Sequence, residues 1–397
     1  MTEEQKIDFL LSRGVEEVIS ENALKEKLKK GHPLRIKYGI DPTTKDFHFG
    51  YLVALRKLRF FQKLGHKVIM LIGGFTARFG DPSAKLKTRK LRPKEDVAEQ
   101  AQAYLDQIKK ILDIDEIEIR DNSEWYDKMS AEELLKLAAN FSHAQLIERD
   151  MFQERIKNNQ RIGVHELLYP ALQAYDSVVL KADVALGGLD QKFNELLGRE
   201  LQKQSKQVGQ EVMLLKTLPG TDGKEKMSQS LNNTISLDSE PKDQFSKIMS
   251  IPDDIIFNYF EMLTDIPEKE LIEMKDSFKK TINPRDLKIK LAQMIVSEIW
   301  GKEKACEAEN YFVQVFSKGK VSEVDIETQK IEPKTYLAKD LLIELGLVKS
   351  KSEAIRLISQ HAVEINKKII ADPLAEISPQ GGEIVRVGKY RFKKIEL

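Results

Sequence analysis

The apolar positions of the chain follow two periods, and the balance between them shifts along its length. Leu34–Ile40 (LRIKYGI) is a short apolar-biased run stopped by Asp41-Pro42, the pattern of a buried strand. From His48 to Leu64 the residues Leu52, Leu55, Leu58 and Phe61 recur at helical spacing, and Gly65 stands where a helix end tolerates positive φ. Lys67–Gly74 (KVIMLIGG) reads as a strand entering a Gly-Gly turn. Ser177–Gly188, which contains VVLKADVALGG, reads as another, and Asp190–Gln204 returns to helical periodicity. Glu211–Leu218 (EVMLLKTL) completes the series. Strands alternating with helices predict an α/β fold over residues 1–236, a parallel sheet with helices on both faces.

Past Leu237 the character changes. Residues 237–320 are helical in pattern, with Pro252, Pro267 and Pro284 at the breaks, and residues 321–333 are polar and read as a linker. Residues 334–397 predict two short helices, Ala338–Leu345 and Ser352–His361. Strand-like runs Ala362–Ile370 and Glu383–Phe392 follow around a Gly381-Gly382 turn, giving a small α+β domain.

Composition narrows the classes. Hydrophobic residues are 41% and charged residues 32% of 397, enough for a real core. Lys+Arg 64 against Asp+Glu 63 leaves +1, which argues against a surface uniformly coated with basic groups. That balance is uneven: residues 334–397 hold twelve Lys/Arg and eight Asp/Glu, a local +4 offset elsewhere. The single cysteine, Cys306, excludes a disulfide framework and a multi-cysteine zinc site, and none of the six histidines forms a HExxH pair. No protein-held metal is expected. The longest apolar stretch, Val68–Phe75, is far short of the roughly 20 residues a membrane helix needs. The charged N-terminus MTEEQKIDFLLSRG has no signal-peptide pattern, so a soluble cytoplasmic protein without membrane contact is expected.

The chemistry lies in two short segments and one helix face. No GxGxxG follows the first strand and no GxxxxGK[ST] occurs anywhere, which removes the dinucleotide and Walker-type readings. Instead Asp41-Pro42-Thr43 leads to His48-Phe49-Gly50-Tyr51 at a helix start, where free N–H groups and an imidazole suit an anion. Beyond the last strand, residues 220–230 (GTDGKEKMSQS) put Lys226, Ser228 and Ser230 on a glycine-containing loop suited to a polyphosphate. Taken singly, an ordinary helix start and a solvated lysine-rich turn look the same. Tyr169, Gln173 and Asp176 are spaced by four and three, so they share one helix face fit for a zwitterionic phenol.

Together the His-x-Gly helix start and the KMSxS loop resemble the HIGH and KMSKS signatures of class I aminoacyl-tRNA synthetases. The ordered run GIDPT (39–43), GGFTARFGDPSAK (73–85), YPALQAYD (169–176), GGLDQ (187–191) and KMSQS (226–230) resembles the bacterial tyrosyl-tRNA synthetases over essentially the whole chain. That resemblance implies a Rossmann-like catalytic domain (1–236), a helical anticodon-side domain (237–320) and, after the linker, an αL-type RNA-binding domain (334–397). It implies a homodimer that activates L-tyrosine with ATP and Mg²⁺ and passes it to tRNA(Tyr). His48, Lys226, Lys85, Arg89 and Thr43 would stabilise the transition state. ATP would meet His48, Gly50, Tyr51, Asp190, Lys226 and Ser228. The amino acid would meet Lys37, Asp81, Tyr169, Gln173, Asp176 and Gln191, with Asp176 accepting from its phenol. The basic face for RNA would be Lys349, Lys351, Arg356, Lys367 and Lys368. Asp190 also suits a helix N-cap.

Four positions depart from the family pattern. Tyr51 replaces the second histidine of HIGH, Gln229 a lysine of KMSKS, Lys37 a substrate-facing tyrosine, and His361 a glycine of the RNA-binding module. Tyr51 and Gln229 motivate an alternative: a synthetase-like RNA-binding protein that has lost aminoacylation. A tryptophanyl enzyme is a second alternative, opposed by the tail and the Tyr169/Gln173/Asp176 set.

Overall fold

In the computed structural model, residues 2–43, 46–82, 91–278, 283–314, 328–348, 350–366, 368–388 and 391–397 are described. Contacts divide the chain into two units, Met1–Glu309 and Asn310–Leu397. The first is organised by six strands: β1 (Val15–Ile19), β2 (Arg35–Ile40), β3 (Lys67–Ile72), β4 (Glu118–Asp121), β5 (Val184–Gly188) and β6 (Glu211–Leu215). Their order across the sheet is β1-β6-β5-β2-β3-β4. Strands β3 and β6 are buried almost throughout, as continuous apolar runs covered on both faces must be.

The chain steps outward from β2 through β3 to β4, then crosses back to β5 and β6. Strands β2 and β5 are therefore neighbours at a topological switch point, paired Ile36↔Val184, Lys37↔Ala185 and Tyr38↔Leu186. In open α/β sheets a ligand crevice opens at the carboxyl ends of such strands.

The sheet differs from the sequence expectation in three ways. It is mixed, because β1 runs antiparallel to β6. Neither β1 (VEEVI) nor β4 (EIRD) is marked by an apolar run, since both are edge strands with one open side. The run VVLKADVALGG is also divided: its first residues finish the helix Val164–Leu180, Lys181 turns out at φ +47°, and only Val184–Gly188 is strand. Here tertiary packing overrides the strand preference of Val178 and Val179.

Helix Val164–Leu180 lies against helix Lys192–Gln204. Gly198 permits the approach, because a Cβ there would stand 2.7 Å from Ser177 Oγ. The first turn of Val164–Leu180 is held by a fully buried ion pair, with Arg155 donating to Glu166 at 2.8 and 3.0 Å. Glu166 also accepts from the Gly163 N–H at 2.8 Å.

Helices Pro241–Met249, Ile256–Leu263, Glu268–Phe278 and Pro284–Trp300 fall within the first unit. Trp300 Nε1 donates to Gln244 Oε1, and Gln244 Nε2 donates to the carbonyls of Ser236 and Leu237. The helical region is thereby tied to the segment that follows the KMSQS loop.

The strands of the second unit are β7 (Thr328–Lys330), β8 (Tyr336–Leu337), β9 (Val363–Ile365), β10 (Lys368–Ile369), β11 (Glu376–Ile377), β12 (Ile384–Val387) and β13 (Arg391–Glu396). They form a five-stranded sheet, β10-β9-β12-β13-β7, and a two-stranded one, β11-β8. Helices Ala338–Glu344 and Lys351–Ser359 pack Leu341, Leu345, Ala354 and Ile358 against Val363, Val385 and Val387. The segment read as a linker supplies β7, which pairs in parallel with β13. His361 sits at φ +54°, a left-handed position that glycine adopts without strain, which accounts for the glycine expected there from the resemblance.

Removing one partner of a buried ion pair leaves an uncompensated charge and costs about 3–5 kcal/mol. Glu166→Ala is therefore expected to destabilise the first unit by about that much. Chemical denaturation followed by circular dichroism measures it; a loss below about 1 kcal/mol, the range of a surface pair, contradicts this reading.

Candidate active site

A cavity of about 300 Å³ opens at the switch point, walled by Lys37–Asp41 of β2 and its exit and by Leu186–Gly188 of β5. Of the sequence-predicted residues, Lys37, Thr43, Tyr51, Asp81, Tyr169, Gln173, Asp176, Asp190 and Gln191 line it. His48, Gly50, Lys226 and Ser228 do not. They form a second cluster beside it, joined through Tyr51, whose ring centroid is 4.7 Å from that of His48.

Asp176 is fully drawn into the protein and accepts three donors: Tyr126 OH at 2.8 Å, Trp125 Nε1 at 3.1 Å and Asn122 Nδ2 at 3.3 Å. Burial pushes its carboxyl up to about 7, with the nearby Lys37 ammonium and these hydrogen bonds opposing the rise. Asp41, part of GIDPT but given no role from sequence, accepts from Thr76 Oγ1 at 2.8 Å and from Tyr169 OH at 2.9 Å. Burial raises it to about 7 as well, and Asp81 adds to the rise. Because the Tyr169 proton is given to Asp41, the Tyr169 oxygen remains an acceptor.

The opposite wall is a relay of amides. Gln191 Nε2 donates to Asp81 Oδ2 at 2.8 Å and to Asp190 Oδ2 at 3.1 Å. Gln173 Nε2 donates to Gln191 Oε1 at 3.1 Å and to Glu195 Oε1 at 2.9 Å. Asp190 sits in a 3₁₀ turn ahead of helix Lys192–Gln204, whose N-cap is Gln191 without a side-chain cap, so the N-cap role suggested for Asp190 is not observed. Lys37 is buried, and its Nζ donates to Ser177 Oγ and to Glu195 Oε2, both at 2.7 Å.

In the second cluster His48 is the N-cap of helix Phe49–Lys63, its Nδ1 accepting from the Gly50 N–H at 3.1 Å. Burial lowers its pKa to about 4. The ring is thus neutral near pH 7 with its proton on Nε2, which makes it a hydrogen-bond donor and not a cation. Gly50 cannot carry a side chain here, because a Cβ would lie 2.8 Å from His48 Cε1.

The two signatures touch. Phe49 N–H donates to the Ile235 carbonyl, and Leu237 N–H to the Phe47 carbonyl. Gln229 Nε2 donates to the Asp46 carbonyl at 2.8 Å. Within the KMSQS loop Met227 is buried and Lys226 exposed. Asn233 clamps the loop: its Oδ1 accepts from the Ser228 N–H at 2.8 Å and its Nδ2 donates to the Lys226 carbonyl at 3.1 Å.

Lys85 and Arg89 lie outside the described residues, as do Lys349 and Lys367. Lys351, Arg356 and Lys368 are exposed, and Lys351 pairs with Asp340 at 2.9 Å. Asp41, Thr76, Asn122, Trp125, Tyr126, Glu195 and Asn233 are site residues that sequence reading missed. Among the described residues no group of three or more His, Cys, Asp or Glu could hold a metal ion, and no helix is long and apolar enough to cross a membrane.

The family pattern described as tRNA synthetases class I (W and Y) matches residues 29–317. The chain is 44% identical to the tyrosine–tRNA ligase of Thermotoga maritima over 396 residues, spanning 100% of this chain and 98% of that one. It is 45% identical to that of Carboxydothermus hydrogenoformans, spanning 97% and 96%. The C-terminally truncated mitochondrial tyrosyl-tRNA synthetase of Aspergillus nidulans has the same fold, with a TM-score of 0.66 at 23% identity over 78% of this chain and 94% of that one. So does the Archaeoglobus fulgidus tyrosyl-tRNA synthetase complexed with L-tyrosine, with a TM-score of 0.61 at 23% identity over 77% and 99%. A pattern that runs from just before β2 past the KMSQS loop, and relatives aligned end to end, leave one assignment: the chain belongs to the class I tRNA synthetases of the tryptophan and tyrosine group.

Proposed function

We propose that this chain is a ligase that activates L-tyrosine with ATP and transfers it to tRNA. The observation that carries the reading is Asp176, a carboxylate buried in the switch-point cavity and already supplied with three donors. A fourth, the substrate phenol, suits its remaining acceptor capacity. A phenylalanine side chain would leave that carboxylate without the donor, an effect for which tyrosyl enzymes are themselves the usual illustration. The substrate ammonium finds acceptors in Asp81, the Tyr169 oxygen and Gln173 Oε1, all in the cavity wall. Full-length relatives named as tyrosine ligases support tyrosine over tryptophan.

The carboxylate of tyrosine then attacks the α-phosphorus of ATP in line. A new P–O bond forms and the bond to pyrophosphate breaks. ATP enters with its Mg²⁺ as substrate. The neutral His48 donates through Nε2 to a phosphate oxygen, and Lys226 neutralises charge on the departing pyrophosphate. Thr43, Lys85 and Arg89 add to that stabilisation. Gly50, Tyr51, Asp190 and Ser228 receive the nucleoside and phosphates. Tyr51 and Gln229 do not empty the site: Tyr51 stays in the cavity wall, and Gln229 holds the loop against the helix start.

The second unit, with Lys349, Lys351, Arg356, Lys367 and Lys368, would hold tRNA phosphates. A homodimer is favoured by Leu135 and Val164, which are 70% and 73% exposed beside an apolar cavity of about 170 Å³ lined by Phe75, Phe79 and Leu168.

Tyrosine-dependent ATP–pyrophosphate exchange tests the reading. Exchange with tyrosine is expected; none at saturating ATP and Mg²⁺, or a preference for tryptophan, contradicts it. Lys226→Ala should lower the exchange rate by about 10²–10³-fold, the typical loss of one transition-state donor, with tyrosine affinity within twofold.

The raised carboxyls give opposite pH trends for binding and stability. Asp41 and Asp176 titrate near 7 in the fold and near 3.9 unfolded, so their ionisation opposes folding. Their contribution to stability grows as pH falls from 8 towards 5, because the folded state binds the extra protons. Tyrosine affinity should fall over the same range, since protonation makes one Asp176 oxygen a donor and leaves only a weaker, uncharged acceptor for the phenol. Equilibrium dialysis at pH 8, 7 and 6 measures this, and affinity that improves on acidification contradicts it.

A further inference from the structure

Glu195 carries no assigned role, yet it makes more directed contacts inside the site than its neighbours in the helix. It stands on the inner face of helix Lys192–Gln204 and is 3% exposed. Its Oε2 accepts from Lys37 Nζ at 2.7 Å and from Gln210 Nε2 at 2.9 Å, and its Oε1 accepts from Gln173 Nε2 at 2.9 Å. Both Lys37 and Gln173 line the cavity, Lys37 on β2 and Gln173 on the helix that also carries Asp176.

We propose that Glu195 is the positioning residue of the amino-acid pocket, setting the orientation of Gln173 and anchoring the ammonium of Lys37. This rests on the tyrosine-binding reading given above.

The reason is donor and acceptor accounting. An ionised carboxylate only accepts, so whichever amide atom of Gln173 meets Glu195 must be nitrogen. Gln173 Oε1 is thereby turned away from Glu195 and takes a hydrogen bond from Asn194 Nδ2 at 2.7 Å, with its second lone pair left for an ammonium. Gln191 continues the same sense of donation, passing its Nε2 to Asp81. A carboxylate at each end of the relay, Glu195 and Asp81, thus fixes the direction of both amides between them.

At the other end of the pocket Lys37 has two of its three donors engaged, by Ser177 and Glu195. Its positive charge beside Asp176 is balanced by Glu195, so the phenol meets a neutralised pair and stays protonated. Replacing Glu195 with glutamine presents an NH₂ where Gln173 now donates. One of the two amides must turn, and the Lys37 charge loses its counter-ion.

The test compares the intact protein with Glu195→Gln and with the double variant Lys37→Met/Glu195→Leu, which removes both charges while keeping apolar volume. Labelled tyrosine binding is read by equilibrium dialysis, and the KM for ATP by pyrophosphate exchange. Glu195→Gln is expected to weaken tyrosine binding at least tenfold and leave the ATP KM within twofold. It should also weaken 3,5-difluorotyrosine less than tyrosine, because an unbalanced Lys37 favours the more acidic phenol. If Glu195→Gln does not fold, the double variant decides when set against Lys37→Met alone: it should bind tyrosine at least tenfold more weakly than that single variant, since nothing orients Gln173. Tyrosine binding by Glu195→Gln within twofold of the parent, or by the double variant within twofold of Lys37→Met, overturns the proposal. So does a parallel loss of ATP affinity, which marks a merely structural role. A parent protein that fails to bind tyrosine would instead refute the functional reading itself.

Discussion

Lys37 and Glu195, 2.7 Å apart and almost wholly removed from water, are the contact on which the Gln173 and Asp176 side of the cavity depends. A pair so deeply buried contributes little net stability, because desolvation offsets most of the Coulomb attraction. Its use is geometric. It joins β2 to helix Lys192–Gln204 across the switch point and leaves one carboxylate oxygen to orient Gln173. Gly198 and Ser177 are part of the same construction: the missing Cβ lets the two helices close, and the Ser177 hydroxyl then meets Lys37.

The rest of the site follows from where the sheet reverses. Strand β2 delivers Lys37 and Asp41, and β5 delivers Gly187 and Gly188 before Asp190 and Gln191. Burial there raises Asp41 and Asp176, so each is given several donors to remain useful as a carboxylate. The second cluster is assembled differently, by backbone pairing of residues 47–49 with 235–237 and by the Asn233 clamp on the loop. Trp300 and Gln244 extend that pairing into the helical region. Two neighbouring clusters, one holding charge out of water and one presenting donors, meet at Tyr51.

What was legible in the sequence is what lies close along the chain. GIDPT, GGLDQ and KMSQS are short segments whose backbone and side chains act together, and the spacing of Tyr169, Gln173 and Asp176 places them on one face without knowledge of the fold. The donors to Asp176 were not legible, because Asn122, Trp125 and Tyr126 reach it from the turn of helix that follows a polar edge strand, about fifty residues away, and no apolar run announces that strand. Glu195 reads as an ordinary helix residue until the fold brings it to Lys37, with Gln210, just ahead of β6, donating to it. His361 looked like a departure in kind; its left-handed backbone is the conformation that the expected glycine would also have met. Lys37 is also a departure that the structure accommodates, since Ser177 and Glu195 provide the partners a buried ammonium requires.

A crystal structure of the protein soaked with L-tyrosine tests the organisation of this cavity most directly. The phenol oxygen is expected within about 3 Å of an Asp176 carboxylate oxygen, with the ammonium at Tyr169, Gln173 and Asp81 and the Gln173 amide still donating to Glu195. Tyrosine bound with its ring away from Asp176, or with Gln173 turned so that its oxygen faces Glu195, would contradict it.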